Sequence, residues 1–433
     1  MPRTHRKRPA VTQHDLTETQ AIDIIEKLRS GIPPRRYASR FSAGLDTFIT
    51  NVRRRHLTPE PGGKIRFVSG SWGSGKTHFF RLLAEQAFDT GYLVSTVELT
   101  KNEAPFNKFE LVLAAILRNV TAAESEPGRP AELPLADFLR GAIQREQDEH
   151  NLDAPEAVER LTERLFADPH IDIDVKRVVR AYWATYTASD ADAPVLEERR
   201  GFLLQWFTGE AHKTQIRKEF DVQKTLSKEN ARLFLGSLVA LSQFLGYRGL
   251  VVLFDESEMS HSTMRRSDLQ QAHNNLLHLI NEIGEIQGLL LIYAAVPEFF
   301  TDSKSGIGAY GALSARIGRP EDKPPVALDK IWNLDAVEFT PDHFAEAARR
   351  IRDIYLVAYP EDVDNLLSAD QLESIVLYVV SQHGPYERIS RWRAVVTSCV
   401  SELDRSLEGQ PPRSPQASYE STRSVLDRLG DDD

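Results

Sequence analysis

The sequence predicts an α/β fold: a parallel sheet core, interrupted by a large helical insertion and followed by a helical C-terminal region. Three observations predict it. Between residues 64 and 99 a strand, a glycine-rich turn, a helix and a second strand follow one another with short joints, the pattern of a βαβ unit. Two more apolar runs, 249–256 and 288–296, read as strands covered on both faces. From about Phe106 to Gly246, between these two groups of strands, there is almost no strand signal.

In chain order, residues 1–19 read as a basic tail (Arg3, Arg6, Lys7, Arg8). Ala21, Ile22, Ile25 and Leu28 recur at helical spacing, and Gly31-Ile-Pro-Pro then breaks that helix. A second helix covers about 45–56, before the strand at 64–69, a helix at 77–91 and the strand at 93–99. Residues 20–124 form the first part of the core. The insertion, 125–245, is charged and rich in Ala and Leu; its last helix uses Leu233, Leu238, Leu241 and Leu245, with Gly246 as C-cap. The core resumes over 246–338, where Leu269, Ala272, Leu276, Ile280 and Ile283 make an amphipathic helix between the two apolar strands. Thr340-Pro341 opens a helical lid over 339–406, winged-helix-like in its helix content, with further helices near 369–381 and 387–403. Residues 407–433, with scattered prolines and a terminal Gly-Asp-Asp-Asp, read as a disordered tail.

A chain of 433 residues is long enough for two or three domains. Its single cysteine, Cys399, excludes a disulfide framework or cysteine zinc cluster and fits a reducing, cytoplasmic setting. The longest apolar run is too short to cross a bilayer, and no apolar stretch follows the basic N-terminus, so neither a membrane span nor a secretory signal is expected. With 63 acidic against 53 basic residues, the formal charge of −10 excludes a surface built throughout to coat nucleic acid. Any DNA contact is confined to local basic elements such as Arg35-Arg36 and Arg53-Arg54-Arg55.

The chemistry starts at Gly70-Ser71-Trp72-Gly73-Ser74-Gly75-Lys76-Thr77, which matches G-x-x-x-x-G-K-[ST] at every fixed position, with a strand before it and a helix after. Glycines let the backbone turn its N–H groups inward, and the helix that follows adds its positive end, so the loop is a phosphate cradle. Gly70 to Thr77, with His78 beside them, are the expected ATP-binding residues; Lys76 reaches the β/γ-phosphates and Thr77 places its hydroxyl on Mg2+. A P-loop NTPase also needs an acid at the tip of a neighbouring strand. Leu250-Val-Val-Leu-Phe-Asp255-Glu256 supplies one: Asp255 to organise Mg2+ and Glu256 to activate water. Glu258 is a possible support or a solvated loop residue.

The order of P-loop, Asp-Glu strand, apolar strand and helical C-terminal region resembles the AAA+ ATPases, in particular their replication-initiator-like branch. The resemblance implies a polar γ-phosphate sensor closing the strand after the acid pair, but this chain has Tyr293-Ala-Ala-Val there, and Tyr293 reads as a core aromatic. It also implies assisting arginines. Arg316, with Arg319 as alternative, stands where a finger for a neighbouring subunit is kept, which would make the protein a homo-oligomer. Arg388 and Arg391 open a C-terminal helix where a lid arginine reaches back to nucleotide, and Arg391 is the favoured one.

More of the chain resembles the ATP-binding proteins of BREX-type bacterial phage-defence islands, especially the BrxD type. The likeness lies in 24–34, in 66–83 with its Ser-Trp-Gly variant of the loop, in 203–210 (Leu-Leu-Gln-Trp-Phe-Thr-Gly-Glu) and in 246–256. It implies a cytoplasmic AAA+-like ATPase working with double-stranded DNA or with a helicase or methyltransferase of a defence island, and an adenine pocket lined by 31–37. Two other functions stay open on the residues alone: an ATP switch that hydrolyses slowly or never and serves as a scaffold, and, more weakly, a P-loop kinase.

Overall fold

The computed structural model describes residues 16–58, 62–123, 133–188, 192–256, 264–382 and 390–430. Most of the basic tail, Glu258 and Arg388 lie outside them. The chain forms two compact units: the first takes the chain up to Arg55, Ser69–Asp89 and everything from Pro320, and the second takes His56–Val68 and Thr90–Arg319. The chain passes from the second to the first at Ser69, the last residue of β1 (Lys64–Ser69), one residue before the phosphate-loop motif begins at Gly70.

The second unit holds β1, β2 (Leu93–Leu99), β3 (Val120–Thr121), β4 (Leu250–Glu256) and β5 (Leu289–Ala295), in the spatial order β3-β2-β4-β5-β1. β4 runs parallel to both β2 and β5, so Asp255 lies opposite Glu98 on one side and Ala294 on the other. β3 is a two-residue antiparallel edge. Every residue of β5 is buried, as a near-continuous apolar run requires. Tyr293 is 1% exposed, and its ring lies within 6.3 Å of those of Phe67, Phe106, Phe254 and Phe299. It is a core aromatic.

Between β2 and β4 the described elements, β3 apart, are all helices: α4 (Phe109–Arg118), α5 (Leu135–His150), α6 (Ala154–Ala167), α7 (Ile173–Ala184), α8 (Ala193–Thr208), α9 (Lys213–Phe220) and α10 (Ala231–Phe244). Their interior is built on tryptophans with satisfied indoles: Trp183 donates to the Leu139 carbonyl and Trp206 to that of Lys224, both at 3.0 Å. The Trp-Phe-Thr-Gly-Glu run therefore builds core, with Gly209 ending α8 at φ +79° and Glu210 paired with Arg118. Buried Glu146 is neutralised by Arg160 and Arg164 at 2.7 and 2.6 Å. The unit closes with α11 (Arg266–Glu282), α12 (Pro297–Thr301) and α13 (Gly311–Ile317).

The first unit contains α1 (Glu18–Arg29), α2 (Asp46–His56, all but its last residue), α3 (Lys76–Asp89), a sixth short strand β6 (Ile331–Asn333), and then α14 (Pro341–Ala358), α15 (Ala369–Gln382), α16 (Arg391–Leu407) and α17 (Pro415–Gly430). Every described element after β6 is helical. Trp332 of β6 is fully buried, with its ring edge-on to Phe48 of α2 and Phe79 of α3. Asp404 of α16 accepts two bonds from Arg29 of α1, at 2.8 and 2.6 Å, and one from the Tyr355 hydroxyl of α14 at 2.8 Å. The shared carboxylate raises the pKa of Arg29, and burial raises that of Tyr355.

The C-terminal tail differs from expectation. Residues 415–430 form α17, which packs on α15 and α16. Its inward side is Ser418, Thr422 and Leu426, one helical turn apart, and the Ser418 hydroxyl bonds that of Ser398 at 3.0 Å inside the bundle. Two of those three residues are hydroxyls, so the stripe carries little hydrophobic signal. Arg413 fastens the approach to this helix, pairing with fully buried Glu402 at 3.2 Å.

Candidate nucleotide-binding site

β1 ends at Ser69, and the loop 70–75 then leads into α3 at Lys76. Gly73 and Gly75 have φ of +70° and +90°, the left-handed backbone that turns successive N–H groups to one side. A side chain on Gly70 would strike the Ser74 hydroxyl at 2.3 Å, while one on Gly75 would meet none of the described residues within 4 Å. The loop is therefore packed at its start and open at the turn into the helix, as a phosphate cradle requires. Phe79 N–H bonds the Gly75 carbonyl at 2.8 Å, fixing the first turn of α3 against the loop.

Lys76 is 9% exposed, and its ammonium donates to the carbonyls of Gly70 (2.7 Å) and Ser71 (3.0 Å). It is held over the loop by acceptors that phosphate oxygens can replace. Thr77, in the first helical turn, is exposed, and so is Trp72, at 70%. The His78 ring lies against Phe41 at 5.3 Å, and its Nε2 is 3.1 Å from the Ser42 hydroxyl. Burial pushes its pKa down to about 4, so His78 is neutral at physiological pH and acts as a spacer and hydrogen-bonding group.

Three other segments of the first unit meet this loop and helix. Glu85 of α3 accepts the N–H groups of Ala38 and Ser39 just after Tyr37, whose φ is +66°. This pins the end of the 31–37 segment to α3; desolvation of the Glu85 carboxylate raises its pKa against those two bonds. The start of α16 is close as well. Ser390, its N-cap, accepts from Arg393 N–H at 3.2 Å, and a Cβ placed on Gly73 would lie 3.0 Å from that of Ser390. The Arg393 guanidinium in turn lies 3.7 Å from where a Gly31 side chain would begin. Arg391 is the first residue of the helix that abuts the loop. The third segment follows β6: the Asp335 carboxylate accepts from Ser71, whose N–H is at 2.9 and 3.1 Å and whose hydroxyl is at 2.8 Å.

In the second unit, Asp255 and Glu256 are the last two residues of β4. Asp255 is half-buried. Arg316 of α13 is exposed, with its Nε donating to Asn281 of α11 at 3.1 Å. Among the described residues no cluster of His, Cys, Asp or Glu could hold a metal by itself.

A family model for the BREX system ATP-binding protein BrxC/D matches residues 16–423. The chain belongs to the BrxC/D family. Membership makes it an ATP-binding protein of the BREX phage-defence type, and the mixed α/β core is compatible with a P-loop NTPase-like fold. No curated protein matches the sequence. Among the described residues no helix is long and apolar enough to cross a membrane.

Asp335, Ser390 and Glu85 were not singled out from the sequence. Each is a lone polar residue outside any motif, and Asp335 lies 264 positions from the serine it binds.

Proposed function

We propose that this chain is a Mg2+-dependent ATPase whose nucleotide state controls its assembly with double-stranded DNA or with a partner helicase or methyltransferase. The observation that carries the reading is the loop 70–75, a glycine-built turn with space at Gly75 among the described residues and the Lys76 ammonium on oxygen acceptors. In this proposal Gly70 to Thr77, with His78 behind them, bind the triphosphate; Thr77 and Asp255 hold Mg2+; Glu256 takes the proton of the attacking water. The metal supplies charge neutralisation of the β- and γ-phosphates. Lys76 shifts from the Gly70 and Ser71 carbonyls to phosphate oxygens. Arg391 assists from α16, and Arg316, exposed on α13, assists a neighbouring copy in a homo-oligomer.

A second reading is favoured by Tyr293. Its ring is packed among four phenylalanines, at the strand where the AAA+ ATPases that the chain resembles keep a polar sensor. This supports a slow ATPase that works as a switch and scaffold. Phosphate release separates the two: the first expects Glu256→Gln to lower turnover at least 100-fold while nucleotide binding is kept. A wild-type rate that Glu256→Gln leaves unchanged would sink it. Titration of duplex DNA at low salt, with and without ATP, tests the nucleic-acid part.

A further inference from the structure

The segment that ends β6 grips the phosphate-loop element at two points. Trp332 is buried edge-on against Phe79 of α3, one turn past the loop, with ring centroids 5.9 Å apart. Three residues later the Asp335 carboxylate takes both donors of Ser71, the second residue of the loop. Asp335 is presented by a single helical turn, Leu334–Ala336, whose cap Asn333 accepts the Asp335 N–H at 3.2 Å and donates to the Glu321 carbonyl at 2.9 Å. The carboxylate is therefore placed by the fold, although it is solvent-exposed.

Its target matters because of what lies on the other side of the same residue. The Ser71 carbonyl is one of the acceptors that hold Lys76. Ser71 thus has its N–H and hydroxyl on Asp335, while its carbonyl accepts from Lys76 and from the Ser74 N–H at 3.2 Å. In the ATP-binding reading the phosphates lie on the part of the loop that turns into α3, past the Ser71 donors that Asp335 takes. We infer that Asp335 is a positioning residue for nucleotide binding: acting through Ser71, it holds the entrance of the phosphate loop when Lys76 leaves for the phosphates. The inference rests on the ATP-binding reading of this loop and adds to it the residue that keeps the loop in shape.

A carboxylate near a triphosphate has a competing effect, plain repulsion, with the opposite sign. Positioning requires that Asp335→Ala weaken binding, and weaken ATP and ADP alike, since the loop entrance serves both. Repulsion requires that it tighten binding, ATP more than ADP.

The test is titration of a fluorescent ATP and a fluorescent ADP analogue, with Mg2+, into the full chain and its variants, with the thermal midpoint of each nucleotide-free variant measured beside it. Asp335→Ala is expected to weaken both nucleotides by about tenfold with little change in midpoint. Asp335→Asn, which keeps an acceptor for the Ser71 N–H, should recover part of the loss. Ser71→Ala should weaken binding by a smaller factor, and combined with Asp335→Ala it should add nothing. Unchanged or tighter binding in Asp335→Ala, or full additivity with Ser71→Ala, overturns the inference. If Asp335→Ala does not fold, Asp335→Asn and Ser71→Ala decide it: unchanged binding in both overturns it. Wild-type protein that binds neither analogue refutes the ATP-binding reading itself, whereas binding lost only in Lys76→Ala leaves that reading intact and removes the role of Asp335.

Discussion

Replacing Gly73 by alanine tests how tightly the phosphate loop is fitted against the start of α16. Two costs follow from the structure. The residue has φ +70°, where an L side chain costs about 1–2 kcal/mol. The new Cβ would also lie 3.0 Å from that of Ser390, and overpacking of this kind costs about 1 kcal/mol or more. In the free protein the loop relaxes by moving away from Ser390, and nucleotide must restore the original path, so the sum of about 2–3 kcal/mol appears as lost affinity, about 30- to 150-fold. Equilibrium titration with a fluorescent ATP analogue measures it. The steric share can be removed separately: Ser390→Gly deletes the opposing Cβ, and glycine at an N-cap costs only a few tenths of a kcal/mol. The double variant should therefore bind about fivefold more tightly than Gly73→Ala alone. Equal affinity in the two would refute the contact, and wild-type affinity in Gly73→Ala would refute the whole calculation.

Other expectations concern stability. Asp404→Ala removes three hydrogen bonds joining α1, α14 and α16 and should lower the unfolding free energy by about 2 kcal/mol, reduced from the buried-pair value because the Arg29–Asp404 pair is about one-third exposed; urea unfolding checks this. His78 has a folded pKa of about 4 against an ordinary 6.5, so between these values the unfolded chain binds the extra proton. Its contribution is fully present above pH 6.5 and is lost as pH falls towards 4, by at most about 3 kcal/mol; His78→Asn should flatten that part of the stability–pH curve. Cys399 is fully buried with its thiol pushed up to about 12, so a disulfide reagent at pH 8 should label the native chain only at the rate at which it opens.

What was legible in the sequence had local periodicity or a motif. The phosphate loop announces itself because its backbone needs glycine at fixed places, and β4 and β5 do so because a strand covered on both faces is apolar throughout. The N-terminus of α14 was readable because Thr340 and Pro341 are good at only those positions. β3 and β6 escaped because two or three residues show no alternation. α17 escaped because its inward stripe is Ser418, Thr422 and Leu426, two hydroxyls and one apolar residue, with Ser418 bonded to Ser398 inside the bundle. In the site, the residues that touch phosphate in the proposed complex are motif residues. Those that shape the loop from outside, Asp335 and Ser390, are matched to it by tertiary approach alone.

The grip of Asp335 on Ser71 also sets an order of events during synthesis. The two residues are 264 positions apart, and at about 5–20 residues per second the ribosome needs about 13–50 seconds to make the second after the first. For that interval the chain carries the residues of the loop and α3 without the carboxylate that bonds Ser71, without Trp332 to pack on Phe79, and without Ser390 to face Gly73. A growing chain therefore carries the full phosphate-binding motif long before it has the parts that shape it, and ATP capture in its final form is a property of the finished protein.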